Sequence, residues 1–188
     1  MVLARTTRPL TGREIARLTG RSSHSGVLDV LNRLATQGVV DRREAGRAWL
    51  YTLNREHLAA PAVELLSSMR STLMTRIQTA VDGWRVPPVH VSLFGSAARG
   101  DGDADSDIDL FLVRPRGVDE DNGAWLEQRD ALATSVRRWT GNRAGLVEVG
   151  EEELRRLREQ APPIVAELRQ DAIALHGPSV ADLLGADR

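Results

Sequence analysis

No cysteine occurs among the 188 residues, so disulfides and thiolate metal sites are excluded. Lysine is absent as well. Every one of the 25 basic residues is arginine, which removes any lysine nucleophile. No run approaches the ~18 apolar residues that a membrane span requires, and the chain does not open on a basic segment followed by an apolar one. A soluble, cytoplasmic protein with no membrane partner is therefore expected. Neither internal repeats nor low-complexity segments are present.

What remains is enough for packed cores. A hydrophobic fraction of 41% over this length allows one large or two small domains. The net charge of −1 conceals an asymmetry. Residues 1–60 carry 10 arginines and 5 acids, while residues 61–188 carry 15 arginines and 21 acids. A basic front and an acidic back predict different partners for each.

The most informative stretch runs from Val89 to Val113. Val89–Phe94 is an apolar run ending in Gly95-Ser96, and Ile108–Val113 is a second one entered through Ser106-Asp107. Asp107 and Asp109 lie two residues apart on the predicted second strand. Both carboxylates then point one way, while Ile108 and Leu110 point into a core. Two carboxylates on one face raise each other's pKa unless a counter-charge is present, and a hard cation such as Mg²⁺ is the natural one. Upstream, backbone N–H groups at Gly95 and Ser96, with the Ser96 hydroxyl, make a cradle for phosphate oxygens. Arg99, close behind, is placed to reach those phosphates or to form a surface ion pair. Asp101, Asp103 and Asp105 alternate with Gly102 and Ala104, which reads as a solvated turn.

Gly95-Ser96, Arg99-Gly100 and Ser106-Asp107-Ile108-Asp109-Leu110 together resemble the signature of the DNA polymerase beta-like nucleotidyltransferases, in particular their minimal members. The resemblance is specific over Leu93–Val113 and looser beyond. It implies an α+β domain over residues 86–188, a mixed β-sheet with flanking helices. It also implies that Gly95, Ser96 and Arg99 bind the nucleotide and that Asp107 and Asp109 bind two metal ions. A third carboxylate belongs on a later strand. Glu148, the only acid in Gly145-Leu146-Val147-Glu148-Val149, stands where that pattern places it, as metal ligand or base. Glu151, Glu152 and Glu153 read instead as the first turn of a helix, where acids complement the dipole.

Toward the front, Thr11 with Glu14 three residues on predicts a capped helix carrying Ile15 and Leu18 on one face, stopped at Gly20. Ser22 or Ser23 caps a second helix bearing Val27, Leu28, Leu31 and Leu34, which ends at Gly38. Val39–Glu44 and Ala48–Leu53 flank a hairpin turn at Gly46. Residues 1–57 resemble a winged helix-turn-helix domain. That resemblance implies DNA as a partner, with Arg21, Ser22, Ser23, His24 and Ser25 at the start of the second helix facing the major groove. Arg42, Arg43 and Arg47 on the wing would face phosphates or the minor groove.

Between the two, residues 58–85 form an amphipathic stretch read as a connector helix. Its Met69 and Met74 suit core packing or a homodimer seam. Helices are further predicted over 124–139, from Glu151, from Pro162-Pro163 and over 179–184, with a strand near 171–175.

These features predict a Mg²⁺-dependent enzyme that transfers a nucleoside monophosphate from an NTP to an acceptor, a protein or an RNA among the choices, with DNA binding at the front. Two alternatives stay open: a transcriptional regulator that senses nucleotide without turnover, and a toxin–antitoxin component. Retention of Asp107, Asp109 and Glu148 argues against the sensor.

Overall fold

The computed structural model describes residues 2–20, 23–102 and 105–185, and the chain divides into two units, Met1–Met69 and Arg70–Arg188. Each takes its form from short local signals that its own core then consolidates.

In the first unit, β1 (Leu10–Thr11) leads into α1 (Gly12–Thr19) through a reciprocal cap. The Glu14 carboxylate accepts from the Thr11 backbone N–H at 2.8 Å, and the Glu14 N–H donates to the Thr11 hydroxyl at 3.2 Å. The Thr11 backbone N–H first, then the Thr11 hydroxyl, which donates to the carboxylate at 2.9 Å, and Arg8 hold the Glu14 carboxyl at a pKa of about 2. Ser23 caps α2 (His24–Thr36) by accepting from the Gly26 N–H at 3.1 Å. The strands β2 (Val40–Ala45) and β3 (Ala48–Leu53) are antiparallel, turning at Gly46 with φ of 61°. The two residues of β1 pair with Tyr51 and Leu50, so the sheet order is β1-β3-β2. Leu10, Ile15, Val27, Leu31, Val40, Tyr51 and Leu53 fill the core beneath it.

The connector is two helices rather than one, α3 (Ala60–Ser67) and α4 (Met69–Asp82). Ser68 separates them. Its N–H is shared between the Glu64 and Leu65 carbonyls, both at 3.1 Å, and its hydroxyl donates to the Leu65 carbonyl at 2.8 Å. A serine that bonds back to its own helix in this way bends or interrupts it.

The second unit follows with β4 (His90–Phe94), α5 (Gly95–Arg99), β5 (Ile108–Arg114), α6 (Gly123–Thr140), β6 (Ala144–Gly150), α7 (Glu151–Gln160), α8 (Pro163–Asp171), β7 (Ile173–His176) and α9 (Val180–Leu184). Its sheet runs β6-β5-β4-β7 and is mixed. The pair β5–β6 is parallel, which requires the α6 crossover, and the other pairs are antiparallel. Strand alternation divides the core between two faces. Leu110 and Leu112 pack with Ile77, Trp125, Leu132 and Val136 from α4 and α6. Phe111 and Val113 pack with Leu154, Val165, Leu168 and Leu183 from α7, α8 and α9. Coverage on both sides explains why β5 reads as a nearly continuous apolar run. Among the described residues, no helix is long and apolar enough to cross a membrane.

His90 is fully buried on β4, with Nδ1 donating to the Pro178 carbonyl at 2.9 Å and Nε2 buried without a partner. Burial, reinforced by nearby His176 and opposed by the bond to Pro178, lowers its pKa below the ordinary value. The unfolded chain therefore takes up a proton in mild acid that the folded chain resists. His90 contributes stability above the ordinary histidine pKa, and that stability is lost as pH falls below it. Urea unfolding should show stability declining from about pH 7 to about pH 5, with a shallower decline in a His90→Gln variant. Equal slopes in the two proteins would remove His90 as the cause.

Candidate active site

The end of β4, the turn into α5 and the start of β5 bring the acidic residues and the glycine turn together. Phe94 pairs with Asp109 in the antiparallel ladder, so the Gly95 turn begins beside the second residue of β5. Gly95 takes φ of 67°, which glycine adopts without strain. Asp107 lies one residue before β5 and is exposed, whereas Asp109 is half-buried within it. On the other side β6 places Gly145 opposite Asp109.

A side chain at either flanking glycine would have to displace the Asp109 carboxylate. A Cβ at Gly145 would stand 2.6 Å from Asp109 Oδ1, and one at Gly95 would stand 2.8 Å from Oδ2. The carboxylate thus lies between two bare stretches of backbone. Gly102 comes similarly close to the Ser96 hydroxyl, where a Cβ would sit 3.1 Å from Oγ. Burial, followed by the negative charges of Asp107 and Glu167, pushes the Asp109 pKa upward. Among the described residues, Asp107, Asp109 and Glu167 have no hydrogen-bond or ion-pair partner, and the Ser96 hydroxyl has none either. Unpaired hard oxygens, half-buried at Asp109 and exposed at Asp107, fit a divalent cation. Asp107 and Asp109 form a pair; among the described residues no group of three such ligands is already gathered as a metal centre.

Arg99 is engaged elsewhere. Its Nη1 donates to Asp171 Oδ2 at 2.5 Å and its Nε approaches Asp101, so it ties α5 to the end of α8. The hydrogen bond to Asp171 leads the causes that raise its pKa. Arg70 of α4 braces α5 from the other side, donating to the carbonyls of Ala97, at 3.0 Å, and Ala98. Arg70, Asp171, Gly145 and Glu167 were not foreshadowed as site residues. The one sequence signal for them is the four-residue spacing of Glu167 and Asp171, which puts both on one edge of a helix.

Glu148 is not brought to the aspartates. It pairs in register with Leu112, three residues beyond the Asp109–Gly145 pair, and an odd offset along a strand places it on the opposite face of the sheet. There it is bound by Arg114 and, at 3.4 Å, by Arg129 of α6. The Arg114 and Glu148 side chains are only 11% and 13% exposed. The expectation that Glu148 shares a face with the two aspartates is therefore corrected.

In the first unit, Ser23 and His24 lie exposed at the start of α2, and Arg21 and Ser22 fall outside the described residues. Arg42, Arg43 and Arg47 are exposed on the hairpin. Arg42 additionally stacks 4.9 Å over the Trp49 ring and bonds Asn32 at 3.4 Å.

The family model of the Nucleotidyltransferase domain matches residues 80–175, just over half of the chain, which includes Gly95, Ser96, Asp107, Asp109 and Gly145. The chain belongs to this family. Its class is that of a transferase, and its mixed sheet with flanking helices is in keeping with that fold. No curated protein matches the chain. Among solved structures, a mutant MntA–HpeT toxin–antitoxin is similar at 16% identity and a TM-score of 0.41, covering 59% of this chain and 78% of that one. A toxin–antitoxin structure with AMP-PNP is similar at 19% identity and 0.40, with the same coverage. A protein described as a nucleotidyltransferase from Sulfolobus solfataricus is similar at 23% identity and 0.33, covering 60% and 84%. Likenesses at this level bring no function to the chain.

The glycine cradle yields a graded prediction. Gly145→Ala and Gly95→Ala should both displace the Asp109 carboxylate and weaken Mn²⁺ binding in a titration. Gly95→Ala should in addition lower unfolding stability by about 1–2 kcal/mol, the cost of placing a side chain in the left-handed region. Wild-type Mn²⁺ affinity in both variants would contradict the cradle.

Proposed function

We propose that the chain transfers a nucleoside monophosphate from an NTP to an acceptor hydroxyl or phosphate, releasing pyrophosphate. The observation that carries this reading is the unpaired Asp107–Asp109 pair against the Gly95-Ser96 turn, inside the segment that defines the family. In this reading an acceptor oxygen bonds to the α-phosphorus as the bond from that phosphorus to the bridging oxygen breaks. Asp107 and Asp109 would hold Mg²⁺ through hard carboxylate oxygens. Two such ions, when bound, neutralise charge developing on the attacking and leaving oxygens of an in-line displacement. The Ser96 hydroxyl and the backbone N–H groups of the turn orient the phosphates. Arg70 and the Arg99–Asp171 pair hold α5 in place, so Arg99 acts by positioning the turn.

Incubation with labelled NTPs, Mg²⁺ and cell lysate identifies the acceptor by the species that gains label, whether protein, RNA or small molecule. Asp107→Asn and Asp109→Asn should fold and lose transfer, and a near-normal rate in either would overturn the assignment. Ser96→Ala should be milder, costing about 1–3 kcal/mol through one lost phosphate hydrogen bond.

A second activity concerns the first unit. We infer that it is a winged helix-turn-helix that binds DNA. Supporting this are two capped helices followed by a hairpin, a basic composition, and Ser23, His24, Arg42, Arg43 and Arg47 exposed along the helix start and wing. A nucleotide-sensing regulator is the same arrangement with the transferase as effector site. Affinity for DNA should fall steeply with salt through counterion release. Arg43→Ala or Arg47→Ala should weaken binding to all sequences alike and reduce the salt slope by about one. Arg42→Ala is a poorer probe, because it also removes the Trp49 stack. Absence of salt-dependent binding at low ionic strength would end the DNA reading.

A further inference from the structure

If the second unit is the transferase proposed above, its metal site needs more than two carboxylates, and the position expected to supply the third cannot do so. The β6 residue beside Asp109 is Gly145, and any side chain there would begin 2.6 Å from Asp109 Oδ1. Glu148 is the only acid on β6, and it lies on the opposite sheet face, neutralised by Arg114 and Arg129. In this chain β6 therefore carries no acid on the face of Asp109.

The neighbouring helix offers another source. α8 is seated by Val165 and Leu168, both buried against Phe94 and Phe111. Its next edge is fixed by Asp171, whose ion pair with Arg99 turns that edge toward α5 and the glycine turn. Glu167 stands on the same edge, one helical turn earlier than Asp171. Along that edge Asp171 is consumed by Arg99, whereas the exposed Glu167 has no hydrogen-bond or ion-pair partner among the described residues. The negative charge of Glu167 also bears on Asp109, after burial and the charge of Asp107.

We propose that Glu167, delivered by α8 instead of by the strand β6, is the third carboxylate of the divalent-cation site formed with Asp107 and Asp109. The long, exposed side chain is free to change rotamer and close on a cation, at the cost of its own rotamer freedom. Its helix is held by the Asp171–Arg99 pair, so the same device that fixes the phosphate turn also fixes the distance over which Glu167 must reach.

The test is cation affinity, read from the loss of the free-ion signal in an electron paramagnetic resonance titration with Mn²⁺ alone. Wild type, Asp109→Asn, Glu167→Gln and Glu148→Gln are compared, with circular dichroism confirming that each is folded at the temperature used. Asp109→Asn should abolish binding, and Glu167→Gln should weaken it by about tenfold or more. Glu148→Gln should bind Mn²⁺ as wild type does while unfolding at lower urea, since it leaves two arginines without their partner. Wild-type affinity in Glu167→Gln, with binding abolished in Asp109→Asn, would overturn the role of Glu167 and leave the transferase reading standing. A loss in Glu148→Gln with none in Glu167→Gln would return the third ligand to the strand. Equal Mn²⁺ binding in wild type and Asp109→Asn would overturn the aspartate site and this inference with it.

Discussion

Close approach of backbone to the Asp109 carboxylate, from Gly95 on one side and Gly145 on the other, is the constraint to which the second unit conforms. A half-buried carboxylate beside other acids is costly unless its surroundings leave room for a counter-ion. Here the room is made by omitting side chains. Everything that fixes the position of those two backbones then matters to the site. The Phe94–Asp109 pair fixes where the turn begins, and the parallel β5–β6 ladder fixes Gly145. Apolar packing on both faces of β5 keeps either from drifting.

Charge is distributed along the same lines. On one face of the sheet, Glu148 meets two arginines and is nearly sealed from water. A chain whose cations are all arginine is well supplied with the forked donors that such a pairing uses. On the other face Asp107, Asp109 and Glu167 have no arginine partner among the described residues, and Arg99 is held by Asp171. One set of carboxylates is neutralised within the fold and the other is unpaired among the described residues.

Local signals carried most of the element reading. The Thr11–Glu14 cap, the Ser23 cap and the Gly46 turn depend on residues a few positions apart, and each formed as its spacing predicted. The alternation that aimed Ile108 and Leu110 inward and Asp109 away held too, although β5 begins only after Asp107. What the residues did not disclose was register. Nothing in Gly145–Val149 says which of its members faces Asp109, and in a strand a shift by an odd number of residues exchanges the faces. Choosing the only acid therefore chose the wrong side. β1 was missed for a related reason, since a two-residue strand exists only through its pairing with β3. The break at Ser68 rests on a side chain competing for a carbonyl within an otherwise regular apolar pattern.

The bare position at Gly145 also shapes how this lineage can vary. An acid introduced there has no room until Asp109 has moved, and moving Asp109 dismantles the pair with Asp107 that such an acid would be meant to complete. A strand-borne arrangement and the helix-borne one proposed for Glu167 are thus separated by intermediates worse than either. Relatives should fall into two groups, those with glycine at this strand position and those with an acid there.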